Sequence, residues 1–249
     1  MDTCSLDAAL TPVLRTALQY TAQQFEDVPI RCMQSSGGLV GIDEFRGGRA
    51  VLSGPAGGLL GAAAVARLAE IPQVVAFDMG GTSTDVSWYG GELERATDTV
   101  LAGVRVSVPM LRVHTVAAGG GSVCVSRGGR LRVGPSSAGA VPGPASYGRG
   151  GPATLTDCHV ALGRLPIDAL PSVFGVDGTA HLDQARAIAA IESVAQEANL
   201  ELLTCAEGLL DVGVESIASA IREVTVARGH DVRQAALCAF GGAGGQVAC

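Results

Sequence analysis

The chain has 249 residues, 47% of them hydrophobic and 16% charged, enough for one large or two small domains with a sizeable core. Its net charge of −7 at pH 7 argues against a nucleic-acid-binding face. All 17 basic residues are arginine, and without lysine there is no P-loop lysine, kinase-type strand lysine or Schiff base.

Any phosphate handled here therefore meets backbone N–H groups, arginine, hydroxyls or a metal. The cysteines at 4, 32, 124, 158, 205, 238 and 249 form no C-x-x-C pair. They read as the reduced thiols of a cytoplasmic protein rather than as a zinc or redox motif. The first ten residues carry two aspartates and no basic residue, unlike a signal peptide. The charge-free apolar stretch 50–66 holds Pro55 and four glycines, too short and too broken to span a membrane.

In chain order, Leu6, Leu10, Val13, Leu14, Ala17 and Leu18 are spaced as one helix face over 6–25. Thr11-Pro12 matches an N-cap followed by proline at the first helical position, so this helix is expected to start there. A short strand at 29–34 precedes a Ser-Ser-Gly-Gly turn. Ser53-Gly54-Pro55-Ala56-Gly57-Gly58 heads an alanine-rich helix to about Glu70, as a cap or an anion cradle. Strand 73–78, a Gly80-Gly81 turn and strand 85–89 predict a hairpin. Further strands are expected at 92–96, 104–108, 122–126 and 130–133. Residues 134–152, rich in glycine, proline and serine, predict a long ordered loop. Helices follow at 156–164, 183–198 and 205–228, the last with a Thr204…Glu207 capping box and an end at Gly229. A final strand, 235–240, enters the run Gly241-Gly242-Ala243-Gly244-Gly245.

Four motifs carry candidate chemistry. In Asp78-Met79-Gly80-Gly81-Thr82-Ser83-Thr84-Asp85, glycines let backbone N–H groups approach an anion and hydroxyls add donors. Asp78 at the strand end suits a magnesium shell or an oriented water, and a plain capped hairpin turn is the alternative. The glycines at 241–245 suit an anion or a nucleotide base, or a simple turn. They call for a following helix, for which the four remaining residues leave no room. Gly119-Gly120-Gly121 fits close approach of a ligand or of another backbone. In Thr156-Asp157-Cys158-His159, either Thr156 or Asp157 is a helix N-cap, or Asp157 and His159 reach a metal.

Together these residues resemble the hydantoinase A/5-oxoprolinase family, over nearly the whole chain. The resemblance rests on Gln-Ser-Ser-Gly-Gly at 34–38, the runs at 52–58, 77–86 and 114–122, Gly-Pro through Gly-Pro-Ala at 134–145, Thr156-Asp157, and Phe-Gly-Gly-Ala-Gly-Gly-Gln at 240–246. The runs at 116–121, 156–158 and 244–246 are similar to the 5-oxoprolinase branch. Val247 and His159 depart from the family's usual histidine and asparagine.

The resemblance implies an α/β fold, with residues 1–249 forming one lobe of an actin/hexokinase/Hsp70-like ATPase. A mixed sheet is flanked by helices, and the first lobe and the C-terminal remainder lie outside the chain. It implies ATP and Mg2+, with K+ as an optional ion. Asp78 and Asp85 become catalytic candidates, and Asp78 and Asp157 metal candidates. Gly80, Gly81, Thr82, Ser83, Thr84, Gly119, Gly120, Gly121, Gly241, Gly242, Gly244 and Gly245 become cofactor-binding candidates. The implied reaction is ATP-dependent hydrolysis of a cyclic amide, 5-oxo-L-proline to L-glutamate, through phosphorylation of the lactam oxygen. That reaction belongs to glutathione metabolism and is expected only in a full-length context. Oligomerisation or a hydantoinase B-type partner is implied, with no nucleic-acid or membrane partner. The alternatives are a hydantoinase, an ATP-dependent ketone carboxylase subunit, or an inactive nucleotide-binding fragment.

Overall fold

The computed structural model describes residues 2–25, 28–101 and 103–248. It opens with α1 (Asp2–Gln24), the strands β1 (Arg31–Met33) and β2 (Leu39–Gly41), and α2 (Ser53–Leu68). The strands β3 (Val74–Met79) and β4 (Thr84–Tyr89) follow, then the short strands β5 (Arg95–Ala96), β6 (Thr99–Leu101), β7 (Val104–Val106) and β8 (Met110–Leu111). Next come β9 (His114–Val116), β10 (Ser122–Arg127) and β11 (Arg130–Ser137). The helices α3 (Leu155–Ala161), α4 (Gln184–Ala198) and α5 (Leu202–Val224) precede β12 (Ala236–Phe240) and α6 (Gly244–Val247).

The chain divides into two compact units. One comprises Met1–Ala76, Ser87–Val113 and His230–Cys238; the other comprises Phe77–Val86, His114–Gly229 and Ala239–Cys249. A four-stranded sheet has the order β12-β3-β4-β9.

In the first unit, α2 buries Ala56, Leu59, Ala63 and Ala66 at helical spacing, together with Ala62. Residues Gly47–Leu68 have a mean hydropathy of 1.3 and by length and composition alone could cross a membrane. They are divided between a 3-10 turn at Gly47–Arg49 and α2, whose alanine stripe is buried within the protein. Helix α1 starts at Asp2, and Pro12 lies inside it. The expected cap, Thr11, is used differently. Its hydroxyl donates to Asp7 at 3.1 Å and accepts the N–H of Gly47 at 2.9 Å. Asp7 accepts the N–H of Gly48 at 2.9 Å. None of the α1 residues is fully buried, so polar bonds to the Gly47–Arg49 turn hold it in place.

In the second unit, α3, α4 and α5 share one core with the hairpin β10–β11. Phe77, Met79, Val86, Leu155, Ile191 and Leu209 are its largest fully buried side chains. Helix α5 buries Cys205, Leu209, Gly213, Ile217, Ala220 and Val224 along one face. It starts at Leu202, one turn before the expected capping box, and Glu201 precedes it without a side-chain cap. It ends at Val224, with a 3-10 turn leading to the left-handed Gly229. The chain's one asparagine, Asn199, closes α4 at φ 55°, the left-handed position that asparagine tolerates well.

The loop after β11 is ordered. Asp157 binds it directly, accepting the N–H groups of Ala145 at 3.0 Å and Ser146 at 2.8 Å.

Candidate functional site

All the candidate residues lie in the second unit. Strand β3 is buried except at Asp78, which is half-buried and followed by the turn. Gly80 donates its N–H to the Ser83 carbonyl at 3.0 Å and closes the loop into β4. Among the described residues, the N–H groups of Gly81, Thr82 and Ser83 find no partner in the protein, and neither do the hydroxyls of Thr82 and Ser83. Five donors on three successive residues thus stand free between two carboxylates, Asp78 and Asp85.

Burial pushes the Asp78 carboxyl above its ordinary range, and the negative charge of Asp85 adds to the effect. A cation bound there would favour the charged form. Asp85 accepts a short hydrogen bond from the Thr115 hydroxyl on the neighbouring β9. It is thereby oriented as part of the sheet face.

Four candidates, Thr84 and Gly119–Gly121, turn out to be scaffold. The Thr84 hydroxyl is fully buried and donates to the Ala118 carbonyl at 2.5 Å, so it anchors the glycine run rather than a ligand. The N–H groups of Gly119, Gly120 and Gly121 are all engaged, with the Ser122 hydroxyl at 2.8 Å, the Gly80 carbonyl at 3.0 Å and the Gly81 carbonyl at 2.7 Å. A Cβ on Gly119 would come within 2.8 Å of Gly80, Gly81 and Ser83 backbone atoms, and one on Gly121 within 2.8 Å of the Gly81 carbonyl. The three glycines exist for the approach of another backbone, the turn itself. They hold the turn and present no N–H of their own to an anion.

Asp157 is likewise accounted for. It is fully buried, and its two oxygens accept four hydrogen bonds: from the N–H groups of Ala145, Ser146 and Thr154 and from the Thr154 hydroxyl. With Thr154 it forms the capping box of α3. These bonds replace the metal role expected from the sequence. Among the described residues, no group of three or more His, Cys, Asp or Glu could hold a metal. A single half-buried carboxylate, Asp78, stands beside the turn, the kind of ligand that Mg2+ uses together with waters and a phosphate.

The second glycine run lies against the same strand. Gly241 has φ 88°, and a Cβ on it would collide with the Asp78 carboxylate and the Met79 carbonyl. The N–H of Ala243 bonds to the Met79 carbonyl at 2.8 Å. The expectation that no helix follows is corrected by α6, a single turn that includes Gly244 and Gly245. Gly81 and Gly242 are different in kind. Neither has a positive φ, and a Cβ on either would meet nothing within 4 Å.

Beyond this run lies a cavity of about 410 Å³, lined by Gly242, Gly245, Gln246, Thr156, His159 and Arg164 and by an apolar wall that includes Tyr147 and Phe174. Gly120 links the two features. A Cβ on it would meet Thr156, Ala243 and Gln246, while its N–H holds the turn. Gln246 had a signal in the Gly-Gly-Gln run. Tyr147 and Phe174, far apart in sequence and with no motif, had none.

The hydantoinase/oxoprolinase family profile matches residues 1–249. The chain is 45% identical to the 5-oxoprolinase PfmaA of Pestalotiopsis fici, over 99% of this chain and 20% of that protein. It is 44% identical to the 5-oxoprolinase of Saccharomyces cerevisiae, over 97% of this chain and 20% of that one. It thus spans about a fifth of the length of these curated relatives. Among solved structures, the ATP-dependent caprolactamase of Pseudomonas jessenii matches with a TM-score of 0.79 and 37% identity, over 96% of this chain and 35% of that one. Nucleotide-free acetone carboxylase, from a study of ATP-dependent acetone carboxylation, matches with a TM-score of 0.80 and 27% identity, over 92% and 33%. The α/β architecture is that of an actin-like ATPase lobe, and the chain belongs to the hydantoinase/oxoprolinase family.

Proposed function

We propose that this chain is the phosphate-binding part of an enzyme that couples ATP to the hydrolysis of a cyclic amide, with 5-oxo-L-proline the substrate and L-glutamate the product. The observation that carries this reading is the turn of Gly81, Thr82 and Ser83, whose five free donors lie between Asp78 and Asp85. An amide oxygen is a poor leaving group, and ATP, when bound, supplies the phosphoryl group that makes it a good one.

The chain's own part is positioning and charge. The three N–H groups and two hydroxyls hold an oxyanion. Gly119–Gly121 fix the turn from behind, so the donors need no rearrangement when the anion arrives. Asp78, next to the turn, holds Mg2+ through its water shell or orients the attacking water. The names of the relatives favour a lactam over other amides. The likeness to acetone carboxylase keeps a second reading, activation of a ketone for carboxylation.

The test is a graft in which these 249 residues replace the matching fifth of the yeast 5-oxoprolinase. ATP-dependent release of glutamate from 5-oxoproline is expected from the graft and not from the 249 residues alone. A folded graft that consumes ATP only with a ketone and bicarbonate would overturn the lactam reading in favour of carboxylation. A folded graft with no ATP use would overturn both.

A further inference from the structure

The stretch 99–156 holds six arginines and no aspartate or glutamate, within a chain whose net charge is −7. Three of the six are engaged close to home. Arg105 pairs with Asp98 at 3.5 Å and Arg112 with Glu94 at 3.6 Å. Arg149 donates to the Gly175 carbonyl at 2.8 Å. The other three, Arg127, Arg130 and Arg132, are exposed on the hairpin β10–β11. Among the described residues, none of their side chains has an ion pair or a hydrogen bond.

The register puts all three on one face. Arg127 stands directly opposite Arg130, and Arg132 opposite Val125. Residues two apart along a strand share a face, so Arg130 and Arg132 point the same way. The other face carries Cys124, Leu131 and Val133, which pack into the core of the second unit. Like charges set directly opposite on a sheet destabilise it. Nothing among the described residues offsets that cost, so the arrangement calls for an anion brought from outside.

Position and charge say which anion. The base of the hairpin meets the Gly81–Ser83 turn, where the Ser137 hydroxyl donates to the Gly81 carbonyl at 3.4 Å. Arg132 lies roughly 17 Å farther out along an extended strand, and Arg127 and Arg130 lie beyond it at the tip, so a ligand of the turn does not reach them. The net charge repels a nucleic-acid backbone or an anionic bilayer. A protein carboxylate matches the planar guanidinium fork through two parallel N–H bonds. The chain spans about a fifth of its curated relatives' length, so in an enzyme of that size most of the polypeptide remains to pack around this part. We propose that the Arg127–Arg130–Arg132 face of β10–β11 docks an acidic segment of the rest of the enzyme, whose aspartate or glutamate carboxylates relieve the arginine repulsion. The proposal rests on the reading of this chain as one part of a larger enzyme.

The absence of lysine supplies the test, because Arg130→Lys gives the 249 residues their only side-chain amine. In the yeast graft, carbodiimide is expected to join that amine to an aspartate or glutamate outside the 249 residues, identified by mass spectrometry. Melting temperatures give a second readout. Arg130→Gln removes the repulsion from Arg127, so the 249-residue protein alone should melt at the same temperature or about 1–2 °C higher. In the graft the same change should lower the melting temperature, and Arg130→Lys, which keeps the charge, should restore most of it. Cross-links confined to carboxylates within the 249 residues, or equal shifts of melting temperature in both contexts, would overturn the dock. Binding of the 249-residue protein to phosphatidylserine vesicles or duplex DNA, lost on Arg130→Gln and without the cross-link, would overturn it in favour of a lipid or nucleic-acid partner. A graft that hydrolyses 5-oxoproline but forms no cross-link outside the 249 residues would sink the dock alone. A graft that forms the cross-link but uses no ATP would uphold the dock and sink the proposed reaction.

Discussion

Asp78 is the one acidic residue in an otherwise buried strand, and its carboxyl is pushed up by burial and by Asp85. A charge held there against desolvation is expected where a cation or a developing charge must be met. In the yeast graft, Asp78→Asn should lower ATP-dependent glutamate release by roughly 10²–10³-fold while leaving the melting temperature little changed. Turnover within about threefold of the parent graft would reassign Asp78 to the turn. The neighbouring glycines separate by geometry. Gly241→Ala meets both a left-handed φ and the Asp78 carboxylate, and should cost about 2 kcal/mol or more. Gly242→Ala, with open space around it, should cost no more than about 1 kcal/mol. Urea unfolding of the two variants checks this ordering. His159 makes a third prediction. Its folded pKa of about 4 lies below the ordinary value of 6.5, so as pH falls the unfolded chain takes up the proton first. The stability it contributes is present above pH 6.5 and lost as pH falls towards 4, by roughly 3 kcal/mol. Comparing unfolding of the parent and His159→Gln at pH 7 and pH 4.5 isolates this share, and an identical pH dependence in both would refute it.

At the scale of elements, the hairpin β3–β4 packs its apolar side chains against α3, α4 and α5, while its turn is held by a loop. Its turn is clamped by Gly119–Gly121, and that run is tied in turn by Thr84 to Ala118 and by Gly119 to Ser122. Asp157 does the same for α3 and the loop before it. Removing its carboxylate leaves the N–H groups of Ser146 and Thr154 without their acceptor in a dry interior, while that of Ala145 keeps the Pro152 carbonyl. Asp157→Ala should therefore cost about 3 kcal/mol or more, whether or not Mg2+ is present. Metal-dependent destabilisation, seen as a melting-temperature loss only with Mg2+, would return Asp157 to the ligand role. Two helix starts depart from the local capping pattern, and at Thr11 the cause is visible. Thr11-Pro12 and Thr204…Glu207 both fit a local capping pattern. At Thr11 the hydroxyl was taken up by the Gly47–Arg49 turn, and helix α5 began a turn before Thr204. Local pattern cannot see a competing partner from elsewhere in the chain.

For the whole molecule, folding and anion binding can be read separately at Gly81. Gly81→Ala should leave folding nearly intact, because its Cβ would meet nothing within 4 Å. In the graft, the same methyl group projects where an anion must approach, so most of the ATP-induced rise in melting temperature should disappear. An unchanged rise would mean that the turn serves only the hairpin. The sequence by itself determined the main helices and strands, the β3–β4 hairpin, the ordered loop, the family and the glycine-rich turns at 80–81 and 241–245. Each of these is written in short spacings: apolar periodicity, glycine where backbone must approach, aspartate at a strand end. Only the tertiary structure decided which glycines face open space and which face another backbone. It also turned Asp157 into a cap and Thr84 into an anchor, and brought Tyr147, His159, Phe174 and Gln246 around one cavity. Those outcomes depend on which groups meet across separations from 12 residues, Ala145 to Asp157, to 90, Thr156 to Gln246, and on which donors are already taken when they do.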